Sequence, residues 1–199
     1  MKKRKGVFQM TFGLLLLAAA FLLTGYNIYE SKKAESTSAY AVREMRKAIE
    51  NTDAEVNPLY EKIPDIVMPT FELDGERYIG ILEIPALGLC LPVMGGEWSY
   101  PKLRSAPCRY TGSVYKDDLV IAAHNYSTHF GRIKDLVSGT DVTFTDVDGN
   151  IFYYEVGWLD VLKPNEVEVM TDASKWDMTL FTCPYGGRER YALRCIRSQ

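Results

Sequence analysis

The run MTLFTC delivers Cys183 to a turn, PYGGRE, and the run RYALRCIR returns from it. Paired as a hairpin with Cys183 opposite Arg190, the two side chains share one sheet face, with Cβ atoms about 5 Å apart. Period-two alternation then puts Arg194 on the same face, opposite Thr179, and turns Cys195 to the other face. A guanidinium is permanently charged and carries its donors in a fixed plane, so it favours a nearby thiolate and can hold a developing oxyanion. Cys183 is therefore the candidate nucleophile of an acyl transfer and Arg190 its oxyanion-stabilising partner, with Arg194 as the alternative. Taken singly, an arginine in a strand reads as a solvated edge residue.

Breaking an amide also requires a proton for the departing amine. The chain has two histidines, His124 and His129. His124 follows LVIAA, where a buried strand opens into a loop, and imidazole titrates near neutrality, which makes it the candidate general acid. His129, beside Phe130 and Gly131, reads as an orienting or surface residue. The competing constellation is a zinc site of His124, His129, Cys183 and Cys195. Zinc ligands come as close pairs, whereas these two cysteines lie twelve positions apart on opposite faces of the proposed hairpin. If Cys183 stays a free thiol, Cys90 and Cys108 are the candidate disulfide in an exported chain.

The elements that must position these residues follow from the rest of the text. Residues 7–28 carry no formal charge and, at about 1.5 Å per residue, are long enough to cross a hydrocarbon layer of about 30 Å. Lys2, Lys3, Arg4 and Lys5 precede them, which predicts a cytoplasmic tail (1–6), a transmembrane signal anchor (7–28) and everything beyond on the outside. A cleaved signal peptide is the alternative, but LLTGYNIYE offers no convincing small-x-small cleavage site. Setting the tetrad aside leaves 19 basic against 26 acidic residues, the wrong balance for displacing counterions from phosphates, so nucleic acid is not an expected partner.

Beyond the anchor, SKKAESTSAYAVREMRKAIENTD mixes helix formers with both signs of charge and places Ala41, Met45, Ala48 and Ile49 at helical spacing. It is predicted to be a helical stalk with a solvated surface, passing into a linker marked by Pro58, Pro64 and Pro69 (29–70 together). From residue 71 the text becomes short β-rich runs between turn residues. Asp148-Gly149 signals a hairpin, and HFGRIKDLVSGTD is the main candidate for a helical turn, ended by Gly139. Many short strands over about 130 residues predict a mainly β domain, a closed barrel or sandwich, spanning 71–199.

Together these residues resemble the sortase family, membrane-anchored cysteine transpeptidases of Gram-positive bacteria. The resemblance covers residues 78–199: YIGILEIPALGLCLPV is similar to the family's opening strands, DLVIAAHNYSTHFGRIKDL to the segment of its histidine, and TLFTC with a following arginine to its TLxTC…R signature. It implies an eight-stranded barrel, with the nucleophile at Cys183, the histidine at His124 and the arginine at Arg190. It further implies a groove shaped by residues 162–177, cleavage of an LPxTG-like sorting signal in secreted proteins through a thioester, and transfer to an amine of a cell-wall precursor or of a pilin. No metal is required for that chemistry; calcium orders a loop in some members, and no decisive calcium loop is evident here. The absence of an evident aromatic lid motif and of a second apolar span disfavours the pilin-polymerising type. A non-enzymatic anchored β-barrel that binds a wall polymer or protein is the alternative from another class.

Overall fold

The computed structural model describes residues 2–51, 59–63, 65–184 and 186–198. Pro58 and Pro64 of the expected linker and Tyr185 of the expected turn lie outside the described residues, as do the side chains of the basic tetrad. One unbroken helix, α1 (Lys2–Glu50), carries both the apolar stretch and the expected stalk. Its apolar part stands clear of the rest of the protein: Phe21 and Leu22 are each 75% exposed, and the mean hydropathy of its most apolar window is 1.7. This helix is long and apolar enough to cross a membrane.

The second half of α1 departs from a solvated stalk. Ala34, Ser38, Ala41, Val42 and Met45 are buried, a stripe at i, i+4, i+7, i+8 and i+11 that lies on the barrel. Two small residues and a serine let the helix approach closely, and Met45 packs with Tyr78, Ile81 and Cys108. Hydrogen bonds pin it along its length: Ser38 Oγ donates to the Ser105 carbonyl at 3.2 Å, and Arg46 reaches Glu83 at 2.7 Å.

The strands are β1 (Phe71–Leu73), β2 (Glu76–Ile84), β3 (Leu89–Met94), β4 (Cys108–Thr111), β5 (Leu119–Ala123), β6 (Asp141–Asp146), β7 (Ile151–Leu162), β8 (Met178–Thr182) and β9 (Arg190–Arg197). They are ordered β1-β2-β3-β4-β5-β8-β9-β7-β6, and β6 pairs back onto β2, so eight strands close into the expected barrel with β1 appended to β2. Closure leaves few strand edges unpaired. Short helices complete it: α2 (Leu59–Lys62), α3 (Tyr100–Leu103) and α4 (Val167–Thr171). The predicted helical turn at HFGRIKD is a single 3₁₀ turn, Ile133–Asp135, and Gly139 closes its loop at φ +81°.

Alternation along the strands separates two apolar layers. Phe144, Phe152, Leu180, Leu193 and Cys195 fill the barrel. The opposite parity, Val120, Ala122, Phe181 and Ala192, forms an outer layer roofed by Leu162 and Met170. Asp148-Gly149 makes the predicted hairpin turn between β6 and β7, with Gly149 at φ +87° and the buried Asp146 carboxylate accepting from the amides of Asp148 and Asn150.

All four cysteines are free thiols. The expected Cys90–Cys108 pair does not form, because Cys108 lies in register with Met94, and Cys90 sits four residues along β3, roughly 13 Å away at strand spacing. Cys90 instead receives a hydrogen bond from Arg46 at 3.4 Å.

Candidate active site

Strand register assembles the site. β5 and β8 run parallel with Ala123 beside Thr182, while β8 and β9 run antiparallel with Thr182 beside Tyr191 and Thr179 beside Arg194. Continued by one residue, these ladders set Cys183 between His124 on one side and Arg190 on the other. By continuation of strand parity all three positions fall on the side of the outer layer, where Cys183 and Arg190 line one groove. Thr182 locks the row: its buried hydroxyl donates to the Ala123 carbonyl at 2.9 Å, tying the two strand ends together just before His124 and Cys183.

The face is a groove of about 120 Å³. Cys183 and Arg190 lie at one end, Phe181, Tyr110 and Trp98 form an aromatic wall, and Pro164, Val167 and Met170 supply the roof. Tyr110 meets Phe181 edge to face at 5.3 Å and Trp98 at 5.6 Å. Lys163, Pro164, Glu166, Val167 and Met170 thus line the groove, and the aromatic wall, which sequence reasoning missed, had its signal in GGEWSYP and RYT beside otherwise unexplained turns.

His124 stacks on Tyr126, centroids 4.1 Å apart at 17°, and Tyr126 in turn meets His129 at 5.6 Å. The loop is closed by backbone bonds from His129 and Gly131 to the Tyr126 carbonyl, at 3.0 and 2.8 Å. Gly131 has no room for a side chain, since a Cβ there would stand 2.7 Å from that carbonyl oxygen. His129 is fully buried rather than at the surface. Burial, with the neighbouring His124 second, pushes its pKa down to about 4, so it is neutral near pH 7 and serves as packing behind Tyr126.

The two arginines separate clearly. Arg190 is half-buried at the groove, its Nη1 donating to the carbonyls of Gly187 and Glu189 at 3.0 and 2.8 Å and so folding the guanidinium beside the turn. Arg194 is fully buried, bonded to Asp160, Thr179 and the carbonyls of Val169 and Met170, with Trp176 stacked 4.2 Å away. Its donors are committed to holding the groove's roof onto the barrel. The zinc set fails to assemble. Cys195 points into the barrel opposite Met178, about 17 Å along the strand from Cys183 at strand spacing, and the described residues contain no cluster suited to a metal ion.

Burial raises the Cys183 pKa above its ordinary 9.0, opposed by the Arg190 charge, and burial followed by the Arg104 charge lowers that of His124 below 6.5, opposed by Glu30. At neutral pH the resting pair is therefore thiol and neutral imidazole, and thiolate with imidazolium is a minor form. Titrating His124 should set an acid limb below pH 6.5 and titrating Cys183 an alkaline limb above pH 9. Measured as kcat/KM against pH, Arg190→Gln should move the alkaline limb further up, because the charge opposing the shift is gone. An acid limb above 6.5 would contradict the burial of His124.

The sortase domain model matches residues 82–197, more than half of the chain, and the protein belongs to the sortase family. Members are cysteine transpeptidases of cell-wall sorting. Sortase A of Bacillus anthracis is 28% identical over 178 residues, 85% of this chain and 84% of that protein. Among solved structures, Streptococcus pneumoniae sortase C superposes with a TM-score of 0.64 at 21% identity, covering 80% of this chain and 97% of that one. The Clostridium perfringens sortase D5 transpeptidase superposes at 0.60 with 19% identity, covering 82% and 99%. These relatives span three subclasses, and the shared fold does not choose among them.

Proposed function

We propose that Cys183, His124 and Arg190 carry a two-step acyl transfer from the sorting signal of a secreted protein to an amine. Strand register supports the reading: β5, β8 and β9 are neighbours, and their ladders, continued by one residue, lead to His124, Cys183 and Arg190. Cys183 passes its proton to His124, and the thiolate attacks a backbone carbonyl of an LPxTG-like signal lying in the aromatic groove. Arg190 holds the oxyanion, the imidazolium of His124 protonates the departing amine, and a thioester remains. An incoming amine gives a proton to His124, attacks the thioester and releases the thiolate. The acceptor is an amine of a cell-wall precursor. The helix α1 anchors the enzyme in one pass with its N-terminus in the cytoplasm and the barrel outside, as its uncharged span and basic start support. Bond chemistry of this kind draws on the chain's own side chains.

Incubation with a panel of sorting-signal peptides should yield an acyl-enzyme whose mass increases by the N-terminal fragment, mapped to Cys183. Hydroxylamine should discharge it. Wall-precursor amines should accelerate turnover more than a pilin lysine peptide does, and the reverse order would favour the pilin-polymerising reading. No adduct with any peptide would overturn the assignment of Cys183 as nucleophile.

A further inference from the structure

The way α1 lies on the barrel fixes which end of the barrel meets the membrane. At one end of the docked stretch, Ser31 Oγ lies 3.2 Å from Thr128 Oγ1, in the loop that follows His124. Tyr26, Glu30 and Lys33 share a crevice of about 450 Å³ with Tyr100 and Arg104. At the other end, Ile49 packs on Gly149 of the β6–β7 hairpin, where a Cβ would stand 3.3 Å from Ile49 Cγ2. Ser31 and Ile49 are separated by about 27 Å of helix at 1.5 Å per residue. The catalytic rim and the hairpin are therefore opposite ends of the barrel along α1.

The uncharged stretch of α1 ends at Ile28, only about 5 Å of helix before Ser31. Tyr26 lies within that stretch and still borders the crevice with Tyr100. α1 is continuous here, so no flexible joint lifts the barrel away. We infer that the rim bearing His124 and Cys183 rests on the phospholipid surface of the bilayer that α1 crosses, with Tyr100 and Arg104 at headgroup level. This rests on residues 7–28 spanning the membrane. The exposed chemistry of the rim fits: Tyr100 is 70% exposed, and Arg104 and Lys33 are exposed cations, the residue types that settle at headgroups. Tyr100 also borders the Cys183 groove, so the groove opens beside the bilayer, suited to reactants that are themselves held in it. Approach from bulk solvent is correspondingly restricted on that side.

The test uses the full chain in phosphatidylglycerol-containing vesicles with the photoreactive residue p-benzoylphenylalanine replacing either Tyr100 or Tyr153. Tyr153 is exposed near the hairpin end of β7 and is the distal control. Irradiation should give phospholipid adducts at position 100 and few at 153. A polar helical heptad inserted after Tyr29 raises the barrel by about 10 Å with little rotation and should abolish the adducts at position 100. Equal labelling at both positions, or adducts unchanged by the insertion, would overturn the inference while the anchor stands. Release of the chain by alkaline carbonate would overturn the anchor reading, and this inference with it.

Discussion

Cys183→Ala is expected to lower transpeptidation on the order of 10⁶-fold, the scale seen when the nucleophile of a cooperating constellation is removed. The thiol sits half-buried at the rim, outside the packed barrel interior, so the variant should keep its groove and melt near the wild-type temperature. Arg190→Gln should cost less, on the order of 10²–10³-fold in kcat, because it removes charge from the oxyanion while leaving the thiol in place. Its present bonds are to two carbonyls of an exposed turn, so its loss should spare the fold. Peptide transfer rates and thermal melts on the same preparations check both variants, and wild-type transfer by Cys183→Ala would sink the mechanism.

Arg194→Met should show the opposite pattern. The side chain is fully buried and supplies donors to Asp160, Thr179 and the carbonyls of Val169 and Met170. Methionine keeps the volume but leaves those acceptors without their donor, and removal of one partner from a buried ionic network costs about 3–5 kcal/mol. The exposure of Asp160, 29%, places the loss toward the lower figure. For a domain of this size the melting temperature should fall by about 10 °C. At low temperature the folded fraction should retain its pH limbs, since neither Cys183 nor His124 contacts Arg194. A stable Arg194→Met enzyme with a shifted alkaline limb would instead return Arg194 to the site.

Much of this was legible from local text because strand parity is a strict rule. MTLFTC and RYALRCIR alternate cleanly, so the Cys183–Arg190 register and the inward turn of Cys195 could be read before any fold was known. Asp148-Gly149 was equally local, since its turn geometry depends on a few neighbouring residues. Of the two readings of His129, orienting or surface, burial overturns the second, because polarity alone does not reveal that Tyr126 and the surrounding loop enclose it. The stalk was misread for a related reason: a helix with charges on most sides can still bury a narrow stripe of Ala34, Ser38, Ala41 and Met45 when a sheet is available to receive it.

By itself, then, the sequence determined the apolar span and the β-rich domain and marked out the candidate thiol, imidazole and guanidinium, because each is written in composition or in a period of two. Tertiary structure alone decided that β5 lies parallel to β8, which brings His124 beside Cys183 across 59 positions of chain. It also decided that Arg194 is consumed by the groove's roof and that α1 lies along the barrel. Those outcomes depend on which distant surfaces find each other, and no local pattern encodes a contact whose two halves are each satisfactory alone.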